Sequence, residues 1–230
     1  MAYRTRVCIT YHYCFRIFCR GYILVGCCLC LQVESCLASF NEAAALFGDA
    51  TKFGVEQLIK SAVRPRMKAW TDAYLDISHV LTDSEFADFE ANDPFMTGLL
   101  ANIDGLLGAF KESLTPLNYN MFVEETCNEL SGRLEKVILK TSFNRLGGLQ
   151  LDKEIRELLA YMTAVTNWTT RERFTRLTQI STLLNVDSMA ELRELWSSGM
   201  ITWRLTPGEI RQFCSLRIDL SADEIRRLKL

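Results

Sequence analysis

The sequence predicts an all-α protein, and three observations point there. Apolar residues recur at three- and four-residue steps rather than in strict alternation. Small polar residues followed directly by proline mark helix starts at several places. Glycine and proline are scarce, at 12 and 4 of 230 residues, too few for the many turns of an all-β fold. With 49% apolar and 23% charged residues, the chain is able to bury a core.

In chain order, helical character sets in at Val33 and gives helices near residues 34–60 and 64–80, with a short helical turn around 83–90. Asn92-Asp93-Pro94 opens a helix over 93–112, whose stripe is Leu99, Ile103, Leu106, Leu107 and Phe110. Thr115-Pro116 opens 116–141, with Leu130, Leu134, Val137 and Ile138 on one face. Asp152 is read as the cap of 152–167, striped by Ile155, Leu158, Leu159, Met162 and Val165. Thr169 or Thr170 caps 170–184, whose buried face is Phe174, Leu177, Ile180 and Leu184. Asp187 is read as the cap of 188–196. Two capping boxes, "TPGE" at Thr206–Glu209 and "SADE" at Ser221–Glu224, open 207–217 and 221–229. The later helices are shorter, and one stripe ends at "NWTTRE", Asn167–Glu172. This divides the chain into an N-terminal segment 1–33, a helical bundle 34–168 and a small C-terminal helical domain 169–230.

The N-terminal segment has a composition of its own. Cys8, Cys14, Cys19, Cys27, Cys28, Cys30 and Cys36 crowd the first 36 residues, while only Cys127 and Cys214 follow. The body therefore reads as a reduced, intracellular protein in which cysteine serves as a small apolar residue. Arg4, Arg6, Arg16 and Arg20 precede the uncharged run "YILVGCCLCL", which is short of the roughly 20 residues a membrane-crossing helix needs. No clear signal-peptide cleavage site follows it. Cys27, Cys28 and Cys30 are candidates for acylation. Cys27 and Cys30 have a zinc-type gap, but no second pair follows. The plainest reading is a mispredicted exon.

The materials for catalysis are thin. His12 and His79 are the two histidines, and His79 reads as a core or helix-terminal residue. Neither a G-x-S-x-G elbow nor a G-x-x-x-x-G-K-[ST] loop occurs. Acids such as those of "DKEIRE" and "MAELRELW" have bases three or four residues away and support helices. A net charge of −2 gives no pull toward nucleic acid. No cofactor is called for.

Basic clusters stand at "RPRMK", "TRERFTR" and "IRRLKL". They read as solvated helix faces or, for Arg171, Arg173, Arg226 and Arg227, as a candidate docking surface. Arg176 differs, because it sits beside Phe174 and Leu177 at the edge of a buried stripe. A half-exposed arginine there calls for a carboxylate partner. In "SFNRLGGLQLDKE", Gly147 and Gly148 pose a choice between a phosphate cradle and an interhelical elbow. A phosphate loop wants a preceding strand, which is lacking, so the elbow is preferred, with one glycine at positive φ ending a helix.

The runs "EFADFEANDPF", "LEKVILKTSFNRLGGLQLDKEIRELLAYMTAVTNWTTRERFTRLTQISTLLN" and "ITWRLTPGEIRQFCSLRIDLSADEIRRLKL" closely resemble the subunit 4 family of the conserved oligomeric Golgi complex, over about residues 34–230. The resemblance implies an elongated helical bundle of the multisubunit-tethering rod type with a small C-terminal helical domain. It implies a non-catalytic subunit acting in retrograde intra-Golgi transport and Golgi organisation. Implied partners are the other subunits of the complex, SNARE proteins and their regulators, with peripheral attachment at the cytosolic face of Golgi membranes. It also implies a structural salt bridge between Arg176 and Glu209. Family members are much longer, so the chain reads as a C-terminal fragment. The alternative is a helical adaptor anchored by an acylated N-terminal segment.

Overall fold

The computed structural model describes residues 23–166 and 170–228, with side chains from residue 32 onward. It is an all-α bundle. Among the described residues the only ladder-type pairings are isolated bridges from Phe143 to His79 and to Arg217. The chain divides into two compact units, Met1–Lys52 and Phe53–Leu230.

Helix α1 (Ile23–Leu58) begins in the first unit and passes into a π-helical turn, Ile59–Val63. Among the described residues from 32 to 52, no side chain is buried. Val33, Leu37, Phe40, Ala44 and Phe47 nevertheless share one face, at alternating four- and three-residue steps. Phe40 is 74% exposed and Phe47 76%, so this is an amphipathic helix whose apolar face is bare.

The second unit holds one continuous core, from Val55 to Leu228. Helix α2 (Arg64–Asp72) carries Pro65 in its first turn and runs into a 3-10 turn, Ala73–Asp76. The expected helix over 64–80 therefore ends early, and His79 lies in an extended link. The short turn near 83–90 is a full helix, α3 (Asp83–Ala91), opened by a Thr82–Glu85 capping box. Helices α4 (Pro94–Lys111) and α5 (Pro116–Ile138) start at their prolines, capped by Asp93 and Thr115. Helix α6 (Arg145–Val165) is followed by a 3-10 turn, Thr170–Phe174, and by α7 (Thr175–Leu184). Helices α8 (Met189–Ser197), α9 (Pro207–Cys214) and α10 (Ala222–Arg226) complete the fold.

The apolar stripes are buried as their spacing requires. Leu99, Ile103, Leu106 and Leu107 of α4 face the core, as do Leu130, Leu134, Val137 and Ile138 of α5. Ile155, Leu158 and Met162 of α6 and Leu177, Ile180, Leu183 and Leu184 of α7 complete it. Each fully buried side chain of this size contributes about 1.5–3 kcal/mol relative to exposure.

Three local expectations are corrected. Asp152 does not cap α6; it lies mid-helix, paired with Arg156 and accepting from the Ser181 hydroxyl at 3.1 Å. The cap is Asn144, whose side chain accepts the Gly147 amide at 2.9 Å. Ser188, not Asp187, caps α8. Ser221 precedes α10 without a side-chain cap bond, so "SADE" is no capping box, whereas "TPGE" is one in full.

Candidate functional site

Helix α7 lies at the centre of the groups singled out from sequence. At its start, Arg176 is bonded through all three of its guanidinium nitrogens. Its Nε donates to both oxygens of Glu135 on α5, at 3.1 and 3.2 Å. Its Nη1 donates to the Arg204 carbonyl at 3.0 Å and its Nη2 to Glu209 Oε1 at 2.7 Å. Glu209 splits its two oxygens between tasks. Oε1 takes Arg176, while Oε2 accepts the amide and hydroxyl of Thr206 at 2.7 and 2.8 Å. Arg176 and the Thr206 donors hold the Glu209 carboxyl down to about 2. One guanidinium thus links α5, α7, the segment before α9, and α9 itself. Glu135, the third partner, gave no sequence signal, because it lies in an ordinary acidic helix face distant in sequence.

The glycine pair sits elsewhere than expected. Gly147 and Gly148 lie inside the first turn of α6, and neither has positive φ; among the described residues only Gly199 does, at 64°. Their value is the lack of a Cβ. A methyl on Gly147 would fall onto the His79 carbonyl oxygen, and one on Gly148 onto the Leu184 carbonyl oxygen, both far inside van der Waals contact. The glycines therefore let α6 press directly on two backbone segments, one beside Phe143 and the other at the end of α7.

That end of α7 is closed by Arg217, which sequence reasoning passed over. Its side chain is 2% exposed. Nη1 donates to the carbonyls of Leu184 at 2.6 Å and Val186 at 3.1 Å. Nε and Nη2 hold the Asp219 carboxylate at 2.7 and 3.0 Å. The last carbonyls of a helix lack intrahelical donors, and a cation there also suits the helix dipole. Asp219 in turn accepts the Arg145 amide at 3.0 Å, tying the start of α6 to the same knot. The clue in the sequence was "LRIDL", an arginine two residues from an aspartate within apolar neighbours.

A second polar cluster is sealed in the core. Gln150 Nε2 donates to Asp93 Oδ2 at 2.7 Å and to Glu154 Oε1 at 3.3 Å. Burial and the Asp93 charge push the Glu154 carboxyl well above its usual value. His79 stacks on Tyr74 with ring centroids 3.9 Å apart, its Nε2 3.0 Å from the Tyr74 carbonyl. Burial lowers the His79 pKa, favouring the neutral ring. The cavity beside Glu154 and Tyr74 measures about 10 Å³, room for one water and no more. Cys127 and Cys214 are buried thiols pushed up to about 12, chiefly by burial, and thiols this far up remain protonated and unreactive at neutral pH.

The four candidate docking arginines have unlike surroundings. Arg173 pairs with Glu124 of α5, and Arg226 with Asp223 on its own helix at 3.6 Å. Arg171, exposed in the 3-10 turn, lines a groove between α6 and α7. Arg227 is exposed at the C-terminal cap of α10. Cys27, Cys28 and Cys30 fall on α1, but their side chains lie outside the described residues. No helix among the described residues is long and apolar enough to cross a membrane.

A family model described as conserved oligomeric Golgi complex subunit 4, C-terminal, matches residues 31–212. Curated proteins named conserved oligomeric Golgi complex subunit 4 are similar over 86% of the chain. That of Mus musculus is 42% identical over 201 residues, that of Homo sapiens 41%, and that of Arabidopsis thaliana 35%. The chain spans about a quarter of their length, 26% to 27%. With the family model matching most of its residues and these identities beside it, the chain belongs to the conserved oligomeric Golgi complex subunit 4 family.

Proposed function

We propose that the chain works as a non-catalytic part of a Golgi vesicle-tethering complex, acting by protein–protein contact in retrograde intra-Golgi transport and Golgi organisation. Family membership is the observation that carries this reading. The bare apolar face of α1 supports it. The family match takes in this face, including Phe40 and Phe47, each more than two thirds exposed. Bare apolar stripes at this spacing are the form in which one helix receives another. The partners proposed are the other subunits of the complex, together with SNARE proteins and their regulators. Attachment to the Golgi is peripheral and on the cytosolic face.

The test is recovery of the tagged full chain from cells, scored for the other subunits of the complex and for SNARE proteins. Co-recovery that is lost in a Phe40→Glu/Phe47→Glu variant supports the reading. A chain that folds yet brings down no other subunit overturns it.

A further inference from the structure

The groove between α6 and α7 is a feature that neither the salt-bridge cluster nor the core explains. It is open to solvent and offers about 760 Å³, within the size range of sites that take small ligands or peptide anchors. Its floor is open because short side chains face each other there, Thr163 on α6 and Thr175, Thr178 and Thr182 on α7.

One wall is built by the segment after α8, and it is fixed in place. Gln179, 5% exposed, donates to the Thr202 carbonyl at 2.9 Å and accepts the Arg204 amide at 2.8 Å. That amide clamp holds Ile201 against the groove, and Met200 beside it is 85% exposed. An exposed methionine is a soft apolar anchor suited to varied partners. Leu159 supplies apolar surface from the opposite wall.

Charge selects the occupant. The charged side chains lining the groove are Arg156 and Arg171, both cationic. Arg156 already pairs with Asp152. Arg171 stands exposed, and among the described residues no carboxylate lies within ion-pair distance of it. We propose that this groove is a docking site for a short acidic segment of a partner protein, with its apolar side chains against Leu159, Met200 and Ile201 and a carboxylate on Arg171. The proposal rests on the groove's own chemistry and does not require membership of the complex.

The probe is a displayed library of random 12-residue peptides, panned on the full chain and on a Thr178→Trp variant whose added ring fills the floor. Thr163→Trp, on the α6 side of the floor, is the second block, and circular-dichroism melts establish that each variant folds. Peptides rich in Asp or Glu beside Leu, Met or Phe should be enriched on the wild type and lost on both blocked variants. Arg171→Glu should weaken a selected peptide about tenfold or more in fluorescence anisotropy, the loss of one charge-assisted contact. Enrichment of basic or uncharged peptides overturns the proposal, as does equal enrichment on folded, blocked protein. An Arg171→Glu affinity equal to wild type does the same. Phosphatidylserine vesicles form a separate arm. Vesicle binding that both tryptophan variants abolish, without acidic-peptide enrichment, would assign the groove to lipid and overturn the peptide reading.

Discussion

Helix α7 is held at its two ends by opposite means. Its first turn is tied by Arg176, whose side chain is 34% exposed and shared between Glu135 and Glu209. Its last turn meets Gly148 backbone to backbone, with Arg217 buried behind it. The first joint is polar and wet, built of groups that rearrange or exchange with water. The second is steric and dry, and leaves no room for adjustment. The two joints should therefore fail in different ways, the dry one on any added atom and the wet one in proportion to charge lost.

The largest effect is expected at the dry joint. Gly148→Val should destabilise the protein by about 4 kcal/mol or more, because the clashing atoms are backbone and neither helix can yield locally. Gly147→Ala should act likewise through the His79 carbonyl, despite the roughly 1 kcal/mol that alanine gains in a helix. Urea denaturation reads both, and wild-type midpoints would mean that α6 parts freely from α7 at Gly148 and from the His79 link at Gly147.

Arg217→Met comes next. It strands the buried Leu184 and Val186 carbonyls and returns the Asp219 carboxylate, 37% exposed, to water, a loss of about 2–4 kcal/mol set mainly by the two carbonyls. If the variant melted with the wild type, the knot at the end of α7 would be dispensable.

The wet joint should give less. A double-mutant cycle on Arg176→Ala and Glu209→Gln should return a coupling of about 1–2 kcal/mol, reduced from a fully buried pair by solvent. A coupling near zero would leave Glu209 only its role as cap.

The smallest differences are those in pH dependence, and they carry opposite signs. Glu209, held at about 2 against an ordinary 4.5, contributes fully above pH 4.5 and loses that contribution as pH falls toward 2. Glu154, raised by burial and by Asp93, contributes fully below 4.5 and loses stability as pH climbs above it. Glu154→Gln should therefore gain on the wild type as pH rises above 4.5, and Glu209→Gln should lose least at pH 3. Melting curves across pH that ran parallel for all three proteins would contradict both assignments.

What the sequence made legible was whatever local pattern controls. The stripes of α4 through α7 and the "TPGE" box needed no partner to be read. The Thr82–Glu85 box was equally legible in "TDSE", and only its short helix hid it. The start of α6 is masked in the sequence because a glycine pair ordinarily ends helices. Its true cause, the His79 and Leu184 carbonyls, lies 68 and 36 residues from the glycine concerned, so no local pattern encodes it. Glu135 has no local signature for the same reason, and Arg217 only half of one, since Asp219 stands two residues away while the Leu184 and Val186 carbonyls come from 33 and 31 residues upstream. The groove was half visible. The "TRERFTR" cluster marked Arg171, but the missing bulk at Thr175, Thr178 and Thr182 has no signature until two helices stand side by side.

The knot around Arg217 also bears on synthesis. Phe143 donates its amide to the Leu216 carbonyl and accepts from the Ile218 amide, while the Arg145 amide waits for Asp219, 74 residues downstream. The middle of the chain thus leaves the ribosome well before the groups that complete its hydrogen bonding. Until residues 216–219 emerge, the start of α6 and the end of α7 keep unanswered polar groups. Nascent chains stalled short of residue 216 should be open to protease and chaperone at that junction, and those stalled on an added C-terminal linker that carries residue 219 clear of the exit tunnel should be closed.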